Sequence, residues 1–414
     1  MTGSRSGRRD LWLLEAANAV GGISNALVMV VVPWLILERT GSAATAGLAA
    51  ALAGLPGILI APLVGVVVDR VGRRTVSVVA DVFSAVSVGL FPVLDAFGLL
   101  GVPAILGLTL LGAAFDPAGY TARKALIPDV SASSGVARDT VNGVHEGIFA
   151  SGWVVGPMVG AFGIAAVGPV ATMWFALAAF ALAALAVAVM RVPDAAVGTG
   201  GPDDRPQGPV LTSMATGLRA LLADRAVWGL TLAVAAVWLI YMPTESVLLP
   251  VHFEAAGAPT AFGMVLSALA AGGMVGAFGY GWIARRMGRH RIATVFMLLA
   301  GLAYVPLALL PAPVLMLLPA FLLGLAWGPM EPLLNSLVQD RFPAELHGRV
   351  YGVQLGIFYA APPLGQLVGG VLVDRYGVQP VLVGVAAGLV AVAAVVNLST
   401  SLRDLDVSEG PLLR

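Results

Sequence analysis

The feature that most constrains this chain is a series of about twelve apolar runs, each of roughly 20 residues, enough to cross the ~30 Å hydrocarbon core of a bilayer as a helix. They fall at 11–37, 45–68, 76–97, 101–121, 140–166, 170–191, 226–250, 260–284, 291–311, 313–336, 349–372 and 379–399. Backbone amides and carbonyls find no water in lipid, so runs of this kind satisfy them internally, as helices. The fold class expected is an all-α membrane protein. Only 11% of the 414 residues are charged, against roughly 25% in soluble domains. That excludes a water-soluble globular enzyme and a disordered chain. The balance of 23 basic and 23 acidic residues excludes an electrostatic binder of nucleic acid. With 51 glycines and 27 prolines in an apolar background, the composition suits helices that approach one another closely. There is no cysteine, so disulfides and thiolate metal sites are ruled out.

Basic residues stay on the cytoplasmic side of a membrane. Placing the N-terminus inside puts 21 of the 23 in the cytoplasm, leaving only Arg39 and Arg375 outside. Both termini are therefore expected to be cytoplasmic, in a plasma (inner) membrane protein. The basic start, MTGSRSGRRD, runs into a first span without a small-residue cleavage site and is expected to be retained. The longest polar break, 192–225, contains GTGGPDDRPQGP and reads as a flexible cytoplasmic linker. It divides the chain into an N-terminal six-helix bundle, 1–191, and a C-terminal bundle with a short tail, 226–414. The halves repeat each other. The segment from Gly65 to Arg74 matches that from Gly281 to His290 at a shift of 216 residues, Leu111, Gly112 and Pro117 match Leu323, Gly324 and Pro329 at 212, and Gly147-Ile-Phe149 matches Gly356-Ile-Phe358 at 209. The last shift also superposes Gly156 on Gly365 and Gly160 on Gly369.

Two motifs stand out. GVVVDRVGRR, with Gly65, Asp69, Arg70, Gly72, Arg73 and Arg74, forms the turn between the second and third spans, and SGWVVGPMVG, with Gly152, Gly156, Pro157 and Gly160, lies in the fifth. The first resembles the signature loop of the major facilitator superfamily, and the second is similar to the span-five signature of that superfamily's drug-efflux antiporters. The segments Ala125-Leu-Ile-Pro128 and His347-Gly348-Arg349-Val350, with Pro117 and Asn142, resemble the macrolide and siderophore efflux branch more than sugar carriers. The resemblance implies twelve helices in two pseudo-symmetric bundles that rock around a midplane cavity. It also implies that Asp69 docks on the start of span eleven as a latch between halves; an ordinary basic cytoplasmic loop is the competing reading. Arg285 replaces Asp69 in the second copy, so that loop is expected to meet the linker or lipid instead. Gly152, Gly156 and Gly160 share one helical face, and Pro157 removes a backbone donor. For these, a proton-tight interface and generic helix packing stay equally open. The antiporter group's usual span-four arginine is absent from Leu106–Gly112.

Acids inside a membrane are costly and by default functional. Glu15, Asp116, Glu245 and Glu331 fall on spans one, four, seven and ten, which line the central cavity of this superfamily. Removing a carboxyl group from water favours its neutral form, and such a group can exchange a proton as access alternates. Glu245, deep in span seven near Tyr241 and Pro243, is the leading proton or substrate site. Asp116 is expected to pair with Arg73, with a proton role as the second reading. Glu331 and Glu15 are further proton or substrate candidates, with snorkelling to the interface or accepting from backbone amides as the competing reading. Asp81 and Glu146 are expected in the cytoplasmic charge network. Cavity candidates are Asn18, Asn25, Trp34, Trp238, Tyr241, Trp327, Asn335 and Gln354; the aromatic ones among Trp238, Tyr241 and Trp327 can stack on a flat or cationic ligand. Trp12, Trp174, Trp228 and Trp282 read as interface anchors.

No phosphate-binding loop precedes the only lysine, Lys124, and His145-Glu146 lacks the second histidine of a zinc-protease helix because position 149 is Phe. No cofactor, metal or enzymatic activity is expected. The function expected is secondary-active, proton-coupled efflux of a small amphipathic organic compound by a monomer, with protons, the small-molecule substrate and membrane lipid as its partners. Uptake or facilitated passage of a small metabolite is the alternative, and a receptor or intramembrane enzyme the remote one.

Overall fold

The computed structural model describes residues 5–192 and 210–406, with backbone only at 5, 58–66, 69–70, 210–213, 344 and 401. Helices α1 (Arg5–Thr40), α2 (Ala43–Val71), α3 (Arg73–Ala96), α4 (Val102–Ala125), α5 (Ile127–Ser134), α6 (Arg138–Val167) and α7 (Pro169–Ala188) occupy the first half. The second holds α8 (Val210–Ala223), α9 (Arg225–Pro243), α10 (Leu249–Ala255), α11 (Pro259–Ala284), α12 (Arg289–Ala308), α13 (Pro313–Trp327), α14 (Met330–Arg341), α15 (Ala344–Tyr376) and α16 (Val378–Leu398). Among the described residues eleven helices are long and apolar enough to cross a membrane, and the remaining expected run, 45–68, lies in α2. Several spans outrun their apolar stretches, among them Val102–Ser134, Arg225–Ala255 and Pro313–Arg341. Of the expected linker, 193–209 lie outside the described residues, but 210–223 form α8 rather than flexible chain.

The helix ends follow from local chemistry. Asp224 caps α9 by accepting from the amides of Ala226 and Val227 at 3.0 Å, and Ser42 caps α2 through Thr45. Gly168 and Gly377, also related by the shift of 209, join α6 to α7 and α15 to α16 with φ of +84° and +83°. At such angles a side chain is strained. The same turn at the same place in both halves is a further mark of duplication.

Contacts divide the chain into two units, Met1–Arg205 with Leu249–Ser267, and Pro206–Leu248 with Ala268–Arg414. In the first, α1 packs on α6 and α7, and α3 on α4 and α7. The span-five motif faces α1: a Cβ on Gly152 would lie 3.0 Å from the backbone of Gly22, one on Gly156 2.7 Å from the Ile23 carbonyl, and one on Gly160 3.2 Å from the Leu27 carbonyl. The apolar side chains of Leu14, Ile127, Val130, Val141 and Val187 close one end of this unit.

The second unit repeats the device. Here α15 packs on α9, with Gly365 against the Leu239 carbonyl and Gly369 against Pro243. The partner of the N-terminal motif is thus found where the repeat places it. A second close crossing joins α11 to α13, where a Cβ on Gly324 would meet the Leu269 carbonyl at 1.9 Å and one on Gly328 the Gly273 carbonyl at 2.3 Å. Large apolar side chains remain exposed on the helix surfaces, among them Phe162, Leu182, Phe278, Leu318 and Leu398; in a membrane these face lipid. Trp12, Trp174 and Trp282 are exposed as interface anchors would be, but Trp228 packs against the core of the second unit.

Candidate functional site

The seventh span changes helical pitch where its acid sits. Pro243 brings no backbone N–H, so the Leu239 carbonyl loses its donor one turn on, and it is this carbonyl that abuts Gly365. Pro250 removes another donor. Between the two prolines the chain winds as a π-helix, Thr244–Leu248, a local widening frequent at functional sites. The turn is held by the Ser246 hydroxyl donating to the Met242 carbonyl at 3.0 Å and by the hydroxyls of Thr244 and Tyr304 at 2.7 Å.

Glu245, in the first turn of that π segment, lines a cavity of about 150 Å³ inside the second unit, with Tyr241, Met242, Met297, Leu323 and Trp327 around it and small residues such as Ala270, Gly273, Ala300 and Gly301 making the space. The Tyr241 hydroxyl faces the Glu245 carboxyl group. No arginine, lysine or histidine belongs to the lining. An ionised carboxylate here has no counter-charge, and burying one unpaired is expensive.

A second cavity in the same unit, about 350 Å³, is walled by Trp238, Trp327, Glu331, Asn335, Gln354 and the aromatic rings of Tyr351, Phe358 and Tyr359. Trp238 and Phe358 stack with centroids 6.1 Å apart. Gln354 is tied down by donating to Thr231 Oγ1 at 2.9 Å, and Tyr351 donates to the Asn335 carbonyl. The indole N–H of Trp238 is buried without a hydrogen-bond partner. Glu331 stands in the first turn of α14, where the helix dipole favours a negative charge. It is exposed and belongs to the cavity wall. The volume falls in the range of small-molecule pockets, roughly 300–1,000 Å³, and its wall combines rings, amides and one acid.

The structure thus joins Trp238, Trp327, Gln354 and Glu331 at one cavity and Tyr241, Glu245 and Trp327 at another. It does not bring Asn18, Asn25, Asp116 or Glu15 to either. Tyr351, Phe358 and Tyr359 were missed, although positions 351, 354, 358 and 359 follow helical spacing and fall on one face of α15.

In the first unit the polar side chains pair off with one another. Asn25 donates to Asp116 Oδ1 at 2.5 Å. The expected Asp116–Arg73 pair does not form: Arg73 instead meets Asp129, at the start of α5, at 2.8 Å. Asp116 lies about two turns along α4 before Arg123, whereas Arg73, the first residue of α3, meets α5 just beyond the C-terminal end of α4. Arg123, expected in the cytoplasm, is buried, and its Nη1 donates to both oxygens of Asp81 at 2.8 and 2.7 Å. Gly21 and Gly119 leave room for that guanidinium. Glu15 neither snorkels nor caps backbone amides. It is buried with its Oε1 3.3 Å from His145 Nδ1, while Asn18 donates to the His145 carbonyl at 2.7 Å. Glu146 pairs with Lys124 at 2.5 Å. Trp34 is buried and stacks on Phe262.

Of the signature loop, the side chains of Gly65, Asp69 and Arg70 lie outside the described residues. Gly72 makes the whole turn between α2 and α3 with φ +107°, and Arg74 donates to the Ala188 carbonyl. In the second copy Arg286 lies over the Trp282 ring at 3.8 Å and Arg289 pairs with Asp340. Arg286 and Arg289 thus have partners within the unit, and linker residues 193–209 lie outside the described residues.

Known proteins agree with this architecture. The model of the Major Facilitator Superfamily matches residues 16–365. The multidrug efflux pump Tap of Mycolicibacterium fortuitum is 35% identical over 99% of this chain and 100% of its own, and the Tap of Mycobacterium tuberculosis (strain ATCC 25618 / H37Rv) is 37% identical over 97% and 96%. Macrolide efflux protein A of Streptococcus pyogenes is 22% identical over 96% and 97%. Among solved structures, nucleoside transporter NupG superposes with a TM-score of 0.76 at 13% identity, covering 95% of this chain and 98% of that one. A bacterial homologue of the lysosomal transporter Spinster does so at 0.68 and 16%, covering 99% and 100%. With a family match across most of its length and relatives of this similarity end to end, the chain belongs to the Major Facilitator Superfamily and is a multi-pass membrane transporter of its drug-efflux branch, not an enzyme.

Proposed function

We propose that this transporter exports a small amphipathic organic compound in exchange for protons, that Glu245 carries the proton, and that the aromatic cavity binds the compound. The observation that carries this reading is the position of Glu245: a π turn delivers the carboxyl group into an apolar cavity with no cation in its lining. There the neutral, protonated form is the one that burial tolerates, whereas contact with water permits release. A group of this kind takes a proton on one side of the membrane and gives it up on the other as access alternates. The relatives named as multidrug and macrolide efflux proteins support the direction and the kind of cargo. Stacked rings and an acid on the cavity wall suit an amphipathic compound with a flat or cationic part.

Asp116, bonded to Asn25, is a second proton candidate. Asp69 serves as the latch at the start of span eleven. The protein works as a monomer in the plasma membrane with both termini cytoplasmic, and the two six-helix bundles, 1–191 and 226–414, are its moving parts. In everted vesicles, Glu245→Gln is expected to abolish efflux driven by a proton gradient while the chain still reaches the membrane. A variant whose efflux kept the pH dependence of the parent would remove Glu245 from the proton path.

A further inference from the structure

The two cavities of the second unit share one side chain. Trp327 lines both, and no other residue lining one belongs to the other. Helix α9 and the π turn that follows it run past both, Val234 and Trp238 of α9 lining the larger and Val237 and Tyr241 of α9 with Glu245 of the π turn lining the smaller. Trp327 is the last residue of α13, and a two-residue turn, Gly328-Pro329, separates it from α14, whose first turn carries Glu331. Its backbone has little freedom. Gly324, one turn before, and Gly328, immediately after, both lie against the backbone of α11 so closely that neither accepts a Cβ. A side chain with its main chain clamped on both sides can answer a neighbour only by rotating, and the indole is large enough to close a passage that a smaller group leaves open.

We propose that Trp327 is the partition between proton and cargo: its indole separates the Glu245 cavity from the aromatic cavity and ties passage of protons to occupancy of the larger site. This rests on the reading of Glu245 as proton carrier and adds the element that keeps the two fluxes together. With the indole in place, water in the aromatic cavity does not reach Glu245. A compound stacked in the aromatic cavity touches the ring and, by moving it, changes the exposure of the acid beyond. Trp327 itself handles no proton; it is a positioning residue whose loss converts an exchanger into a proton leak.

The test is proton flux in proteoliposomes under an imposed pH gradient, with and without an amphipathic cationic dye as cargo. Trp327→Ala is expected to raise proton entry without cargo by roughly tenfold and to lower the cargo moved per proton, whereas Trp327→Phe stays close to the parent. Adding Glu245→Gln to Trp327→Ala should abolish the leak, because the leak runs through that carboxyl group. A tight Trp327→Ala chain, with parental cargo moved per proton, would overturn the partition. So would a leak that survives Glu245→Gln. The single Glu245→Gln variant reports separately: if it retains proton-driven efflux, the proton reading falls, whatever the leak shows. Trp327→Leu carries the same outcomes if the alanine variant does not reach the membrane.

Discussion

The two units share a frame and differ in what fills it. Each lays a pair of glycines from its fifth helix against its first, Gly156 and Gly160 on α1 in one, Gly365 and Gly369 on α9 in the other, and each turns into its last span through a glycine at nearly the same positive φ. Each unit buries an Arg–Asp pair, Arg123 with Asp81 in the first and Arg341 with Asp224 in the second; the first also sets Arg73 on Asp129, Glu15 beside His145 and the Asn25 amide on Asp116. The second leaves Glu245 in an apolar cavity and opens an aromatic one beside it. Duplication fixes the helix crossings, because those depend on small residues at set intervals. It leaves the interior polar groups free to diverge, and here both described cavities are lined by the second unit.

The largest effect expected from disturbing this contrast is in the first unit. Arg123→Ala strands Asp81 in the interior, and breaking a buried pair of this kind costs about 3–5 kcal/mol. Thermal unfolding in detergent should show it, with most of the loss recovered when Arg123→Met is combined with Asp81→Leu. An Arg123→Ala chain as stable as its parent would mean the first unit is not held by its charges. The frame comes next. Gly365→Ala places a Cβ 1.9 Å from the Leu239 carbonyl, which calls for a loss of about 1–3 kcal/mol by overpacking. Gly352→Ala, on the same helix but facing the space of the larger cavity, should be neutral for stability or stabilising by about 0.5–1 kcal/mol.

Much of the frame could be read from the sequence, since the apolar runs, the repeated glycines and the polar break between halves are local or periodic signals. The pairings could not. Arg123 and Asp81 are 42 residues apart and Asn25 and Asp116 are 91 apart. Counting positive charges by side of the membrane assigns Arg123 to a loop for want of any local sign that Gly21 and Gly119 make a pocket for it. Depth alone pairs Asp116 with Arg73, whereas the helix α5 that presents Asp129 to that arginine is a short element following the apolar run. The seventh span was more legible: Pro243 and Pro250 on either side of Glu245 announce a disturbed helix, and the acid between them was the leading candidate. What sequence did not reveal is that Trp327 stands in two cavities, because that depends on how α11, α13 and α15 meet.

Smaller effects refine the second unit. Trp238→Leu removes the ring stacked on Phe358 and is expected to weaken binding of a flat cationic compound by about 0.5–1.5 kcal/mol, read by calorimetry, with no change in proton flux through Glu245. Asp69→Asn is expected to do least: transport slows while ligand affinity stays that of the parent, measured by initial rates in vesicles against equilibrium binding in detergent. A shift in affinity would place Asp69 in the ligand site rather than the latch.

The proposal that the exchanging proton sits on Glu245 in the second unit rather than on Asp116 in the first is tested most directly by counting protons released when ligand is added to purified protein in weakly buffered solution near neutral pH. The parent chain and Asp116→Asn should each release about one proton per ligand bound, and Glu245→Gln should bind ligand and release none. Release undiminished in Glu245→Gln but lost in Asp116→Asn would place the exchanging proton in the first unit and contradict the division of labour drawn here.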